Sequence, residues 1–405
     1  MGDPSIQPIP TAAPAGDSRL RILDALRGMA ALYVAVGHAR YLLHEGLTGF
    51  REHPEAYSLL QNAAVHALGC FGWGHEAVIL FFVLSGFAIH LRHAREQAEL
   101  GIHAQFRPGS YLWRRTKRLY PPLLLALALT FALDRLGMHA GWSIYNGRTP
   151  HDMINKSGPF LHDGRTLIGN LSFAMDNWQQ TPFAAYGTDK PLWSLRYEAS
   201  FYLLYPLLWL ANRRGAWLAL GAALALALAF ALSPSLKATP GLIRNPLELL
   251  LVWWLGGFLA EIFTGRVRLP MGWLAGFVLC LPLGLRLPGA ESALFPEPCA
   301  TWLLGLGFFG LIAAALAWRG TLARWRGIEM IGKLGDCSYT LYVIHMPVLV
   351  FIGGWLMSRA PDGRLPASPA WVLPGVALCV LLAWLAHFLV EKPFMGSGKK
   401  KGTPA

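Results

Sequence analysis

The chain has 405 residues, 54% of them hydrophobic and only 14% charged, a balance that excludes an ordinary water-soluble protein and fits one that crosses a membrane many times. Its net charge of +12 could signal nucleic acid, but the cations stand beside apolar runs, where the positive-inside bias accounts for them. The five cysteines, Cys70, Cys280, Cys299, Cys337 and Cys379, are scattered and form no CxxC pair, so neither a disulfide framework nor a metal site is indicated.

Residues 1–19 are rich in Pro, Ala, Asp and Ser. They have neither the basic start nor the apolar centre of a signal peptide, and they read as a disordered cytoplasmic tail. Apolar runs follow at roughly 22–43, 75–91, 118–136, 191–211, 215–233, 246–264, 270–287, 299–318, 335–357 and 370–391, each near the length a bilayer core of about 30 Å demands. The fold class predicted is an all-α polytopic membrane protein, with about ten transmembrane helices around a polar slot. Cations gather in alternate connections: Arg114, Arg115, Lys117 and Arg118 before the third run, Arg213 and Arg214 after the fourth, and Lys399, Lys400 and Lys401 at the end. That bias puts both termini in the cytoplasm and the long connection 137–190 outside.

The membrane domain is therefore 20–394, followed by a basic cytoplasmic tail over 395–405. Within 137–190, the run 166–176 is too short to span and contains Asn170 and Asp176, so it reads as a re-entrant or surface segment. The loop is rich in Trp, Tyr, Asn, Asp, His and Gly, a composition suited to a polar ligand, and loops of this length are usually functional. Leu218 to Leu232 is nearly all Ala and Leu and reads as a plain spanning helix.

The first span holds an acid, an arginine and a histidine, which are costly in a bilayer unless they face a protein interior or a wet cavity. On a helix, Arg27 and His38 fall about 20° apart in azimuth and about 16 Å apart along the axis, and Asp24 falls about 60° from Arg27. All three share one face, the wall of a polar slot running from one membrane edge towards the middle. Snorkelling to the headgroups would account for Asp24 and Arg27, but not for His38, which lies too deep.

Four further stretches carry polar groups. Ser85 and Gly86 sit mid-span, as a small pair for close helix approach or as a substrate contact. His90 and His93 near the end of that run read as surface histidines. Arg115 and Arg118 are helical neighbours, and with Arg114 they suit either a phosphate clamp or a topology anchor. Ser194, Glu198, Phe201 and Tyr205 make a stripe in the fourth run, where Glu198 needs a proton or a partner, a salt link to Arg196 or to another helix being the structural reading. Ser338, Tyr342 and His345 share a face of the ninth run, with His345 near mid-membrane.

In order along the chain stand Leu23-Asp24-Ala25-Leu26-Arg27-Gly28 with His38, Phe81-Phe82-Val83-Leu84-Ser85-Gly86-Phe87, and Arg115-Thr116-Lys117-Arg118-Leu119-Tyr120-Pro121. Leu192-Trp193-Ser194-Leu195 with Glu198, then Ser338-Tyr339 with Tyr342, His345 and Pro347, and finally Glu391-Lys392-Pro393-Phe394 complete the set. The chain resembles the acyltransferase 3 family over nearly its whole length, Leu20 to Phe394. That family consists of integral-membrane enzymes that O-acylate cell-surface and secreted glycans.

The resemblance implies a multi-pass protein of the bacterial inner membrane, surrounded by lipid, that needs no metal. It implies transfer of an acyl group, most simply acetyl, from cytoplasmic acyl-CoA to a hydroxyl of a glycan or glycolipid acceptor. Arg27 and His38 are then essential, and Arg115 and Arg118, with Arg114 beside them, meet the donor's phosphates. His38 is the base in a direct transfer, Arg27 holds the donor or the developing charge, and Asp24 orients Arg27. Glu198 and His345 are candidates for positioning the acceptor, and Ser85, Trp193, Ser194 and Tyr342 for lining the substrate path. The competing class is a transporter with an intramembrane charged pathway, for which inverted repeats with broken helices would be the signal.

Overall fold

The computed structural model describes residues 20–176, 181–285, 294–295 and 297–394. The two tails expected to be cytoplasmic, 1–19 and 395–405, lie outside the described residues. The principal helices are α1 (Arg21–Leu42), α2 (Gly74–Leu100), α3 (Pro108–His139), α4 (Trp193–Arg214) and α5 (Ala216–Leu232). They continue with α6 (Leu250–Phe263), α7 (Cys299–Ala317), α8 (Arg326–Asp336), α9 (Ser338–Arg359) and α10 (Val372–Ala386). Among the described residues there is no strand, only an isolated bridge between Asp176 and Ala184.

Seven helical stretches among the described residues are long and apolar enough to cross a membrane, where the sequence predicts about ten spans. The other three expected spans are helical but fall short for identifiable reasons. Residues Ala216–Leu232 and Met271–Gly284 are apolar but short. Helix α4 has 22 residues, yet Arg196, Glu198, Arg213 and Arg214 dilute its apolar character.

Helix α1 is central, packed against α2, α8, α9 and α10. Its crossing with α8 is tight because Gly28 and Gly335 remove side chains at the contact; a Cβ on Gly335 would strike the Asp24 backbone. Helices α2 and α6 meet in the same way. A Cβ on Gly86 would strike the Trp253 carbonyl, and one on Gly256 the Val83 carbonyl, so the backbones touch. Helix α9 is the most enclosed of the candidate spans, whereas the stretch containing α10 exposes most of its apolar surface, including Leu381, Trp384 and Leu385. Surface of that kind suits lipid.

The connection after α3 is tied back to it. The Asp134 carboxylate accepts hydrogen bonds from the Thr188 N–H (2.9 Å) and hydroxyl (2.7 Å), and lies 2.8 Å from His162 Nε2. A short helix, Gly164–Leu171, then runs back along α3, where the Tyr120 hydroxyl donates to the Leu171 carbonyl at 2.9 Å. From Asp134 to Tyr120 is about 21 Å along a helix axis, so this segment lies deep beside α3. Asn170 braces the return strand of chain, donating to the Ala184 carbonyl at 2.9 Å and accepting from the Tyr186 N–H at 3.2 Å.

Candidate active site

Two cavities lie beside α1. The first is narrow, about 60 Å³, and its lining includes Arg27, Ser85, Arg118, Glu198, Tyr202 and Tyr342, from five different helices. Arg27 is fixed at the entrance by Asp24, one turn earlier, at 3.2 Å. Asp24 is itself steadied by Arg21 at 3.4 Å, and Arg21 by Asp336 at 2.8 Å. Arg118 enters the cavity without an ion-pair partner among the described residues. The Ser85 hydroxyl donates to Glu198 Oε1 at 3.0 Å, the Tyr202 hydroxyl donates to the same oxygen, and the Trp253 indole N–H donates to Ser85 Oγ at 3.3 Å. Two guanidiniums and one carboxylate thus face one void, a net positive lining suited to an anion.

Of the partners expected for Glu198, Arg196 or another helix, it is another helix that supplies one, through Ser85. Arg196, two residues earlier and so about 160° away on the helix, points to the far side, against Asp176 at 3.7 Å and the Tyr197 hydroxyl at 3.1 Å. The expected arginine cluster also divides. Arg118 faces the cavity, while Arg115 lies over the Tyr111 and Tyr202 rings at 5.6 and 5.8 Å. Arg114 is exposed and lines neither cavity. Arg114 and Arg115 are consecutive and so about 100° apart; a wall that covers one leaves the other in solvent.

The second cavity, about 240 Å³, is lined by His38, Arg40, Tyr41, Phe71, His75 and Trp193 among others. Trp193 is stacked on His75 with ring centroids 5.4 Å apart. His38 Nδ1 lies 3.0 Å from the Val34 carbonyl and 3.1 Å from His345 Nε2. His345 Nδ1 lies 2.7 Å from the Tyr342 carbonyl and 3.2 Å from that of Leu341. A carbonyl accepts only, so His345 carries its proton on Nδ1 and presents a lone pair at Nε2. His38 must then donate from Nδ1, which leaves its Nε2 as an unprotonated acceptor. Expected to position the acceptor, His345 instead sits fully buried behind His38 and lines neither cavity.

The cavities adjoin, with Val78 lining both. Trp193 belongs to the His38 side and Ser194 to the Arg27 side. Ser194 donates to the Tyr342 hydroxyl at 2.8 Å, and that hydroxyl donates to the Pro191 carbonyl at 3.0 Å. Instead of one open slot, Arg27 and His38 therefore face two chambers parted by Val78, Trp193, Ser194 and Tyr342.

His90 and His93, expected at the surface, are buried. His90 Nε2 lies 2.6 Å from Glu261 Oε1 and its Nδ1 2.9 Å from the Tyr205 hydroxyl. Arg266 completes the cluster, 2.6 Å from Glu261 Oε2. Asn212 bridges Glu261 at 3.0 Å and Gln97 at 2.8 Å. The signal for it was Glu261, a carboxylate inside the apolar run of α6 that requires a partner.

These features define a multi-pass membrane protein with a histidine on a cavity next to a cationic one. A family model described as an acyltransferase domain, acyltransferase 3, matches residues 20–388. The chain belongs to that family and is an acyltransferase. It is 24% identical to the acyltransferase MdmB of Streptomyces mycarofaciens, over 93% of this chain and 92% of MdmB. It is also 24% identical to YrhL, a candidate peptidoglycan O-acetyltransferase of Bacillus subtilis (strain 168), over 91% of this chain and 57% of YrhL. The O-acetyltransferase OatA of Staphylococcus aureus (strain NCTC 8325 / PS 47) is 21% identical over 81% of this chain and 53% of OatA. The chain thus spans little more than half the length of the latter two. No solved structure matches it.

Proposed function

We propose that the protein is an O-acyltransferase of the bacterial inner membrane that moves an acyl group, most simply acetyl, from cytoplasmic acyl-CoA to a hydroxyl of a glycan or glycolipid. The observation that carries this reading is the free Nε2 of His38, held by His345 and turned to a cavity that adjoins the one holding Arg27 and Arg118. Arg118 and Arg115 would meet the donor's phosphates at the cytoplasmic side, where charge-assisted bonds to a guanidinium fork are strong. The narrow Arg27 cavity suits an extended pantetheine arm, which passes the Tyr342 and Val78 partition to bring the thioester to His38.

His38 Nε2 then takes the proton of the acceptor hydroxyl as its oxygen attacks the thioester carbonyl. The C–S bond breaks, the acyl group is left as an ester, and the thiolate recovers the proton. Arg27 stabilises the charge that develops on the donor, while Asp24 holds Arg27 in place. Relatives named as O-acetyltransferases support transfer to oxygen.

The test is twofold. Purified protein in liposomes, given radiolabelled acetyl-CoA inside and membrane glycolipid extract outside, should transfer label to the outer glycan. Surface glycans of a deletion strain should lack an ester that the wild-type gene restores. Glycans with unchanged ester content, together with label that stays on CoA, would reject the reading; movement of a solute independent of acetyl-CoA would favour a transporter.

A further inference from the structure

A third cavity, about 260 Å³, lies beyond the end of α1, its lining drawn from residues 40–41, 44–49, 52, 65–69 and 150–154 and from Arg364. Arg40 and Tyr41 line both this cavity and the His38 cavity, so the two adjoin at the last turn of α1. We propose that it is the subsite for one sugar unit of the acceptor, holding the ring while a hydroxyl reaches the His38 base. The proposal rests on the acyl-transfer reading above and specifies where its acceptor binds.

The lining has the chemistry of sugar recognition. His44 is 1% exposed, and its Nδ1 accepts the Gly46 N–H at 2.9 Å. A neutral imidazole with an accepting Nδ1 carries its proton on Nε2, and that nitrogen has no partner. Arg40 Nε, also buried, has none either. These two buried donors without acceptors belong to residues that line the cavity, where oxygen atoms of a ligand would satisfy them. Acceptors share the lining: Glu45 and Glu52 line the same cavity and are held there by Arg364 at 3.5 and 3.7 Å. A hydroxyl both donates and accepts, so a polyol satisfies both sets at once.

A phosphate does not, because Glu45, Glu52 and Asp152 would repel it. Size gives the same answer: the volume is just below the range of drug-sized ligand pockets, about 300–1,000 Å³, room for one ring rather than an oligosaccharide. The wall from 150 to 154 belongs to the long loop after α3. It is fixed by His151, whose Nε2 accepts the Leu365 N–H at 3.0 Å and whose imidazole burial holds below the usual histidine range.

The experiment uses the full chain in lipid nanodiscs free of glycoside detergents. Saturation-transfer NMR reads the binding of methyl β-D-glucopyranoside and of N-acetylglucosamine; equilibrium dialysis reads radiolabelled acetyl-CoA. Two variants address the pocket: His44→Ala, which removes the open donor, and Thr48→Trp, at an exposed rim position where a ring obstructs the mouth without disturbing the core. At least one sugar should bind wild type, and both variants should weaken it about tenfold or more, the scale of one lost hydrogen bond, with acetyl-CoA binding unchanged. Sugar binding unaffected by both variants, or binding of neither sugar to wild type, overturns the subsite. Failure of acetyl-CoA to bind counts against the donor reading alone, since the sugar measurement judges the pocket independently.

Discussion

Two of the histidine clusters among the described residues are satisfied to different degrees. In the cluster between α2, α4 and α6, both ring nitrogens of His90 are engaged, by Tyr205 and Glu261, and Arg266 supplies a cation against Glu261. His90 itself is left with no nitrogen for a ligand. In the pair between α1 and α9, His345 and the Val34 carbonyl engage only one nitrogen of His38. The other nitrogen is left for a cavity lined by Trp193 and Tyr41. Both clusters place ionisable groups where they are expensive, so burial does not separate chemistry from architecture. The unfilled valence on a cavity does.

The sharpest way to break this comparison is at the two histidines. His38→Ala and His38→Gln should each lose about 10²–10⁴-fold in transfer rate, the range of a general base. Expression and acetyl-CoA affinity should stay near wild type. Gln keeps a hydrogen-bonding group but takes no proton, so a well-expressed Gln variant at wild-type rate would remove the base assignment. The measurement is turnover of acetyl-CoA alongside protein yield.

The sealed cluster predicts the opposite pattern. Glu261→Ala leaves His90 and Arg266 without their carboxylate, and breaking a buried pair from one side costs about 3–5 kcal/mol. Yield and the thermal midpoint in detergent should fall clearly. Specific activity of the protein that remains folded should stay within about twofold, since a change remote from the chemistry acts through stability. A folded Glu261→Ala protein with greatly reduced specific activity would show that the cluster takes part in the chemistry and would end the contrast.

The degree to which the sequence disclosed all this follows the range of the interactions. The shared face of Asp24, Arg27 and His38 is a property of one helix, and helical geometry made it visible. The Glu198 environment is only partly local: Tyr202 is one turn on, but Ser85 is 113 residues away, and only the packing of α2 against α4 supplies it. His90 looked peripheral because its partner Glu261 lies 171 residues on, in a run read only for its apolarity. The pairing of His345 with His38 spans 307 residues, so both were visible as deep histidines while their order, one behind the other, was not. Apolar runs likewise located the helices, but could not distinguish a long span from the short Ala216–Leu232 or the charged α4.

A smaller effect separates the arginines, which sequence grouped together and the fold divides. Arg118 faces the Arg27 cavity with no direct ion pair among the described residues, whereas Arg114 is exposed. Lysine keeps the charge but loses the planar fork and its bidentate geometry. Arg118→Lys should therefore raise the KM for acetyl-CoA about tenfold, the equivalent of one charge-assisted hydrogen bond, with less effect on kcat. Arg114→Lys should leave both constants near wild type and topology intact. Arg115→Lys tests the intermediate case, because the guanidinium plane over Tyr111 and Tyr202 is a stacking contact that an ammonium reproduces poorly. Steady-state kinetics on the three variants in one membrane preparation decides it. Equal and full activity in all three would mean that this cluster only anchors the helix to the cytoplasmic side, and the donor's phosphates would have to be sought at Arg27.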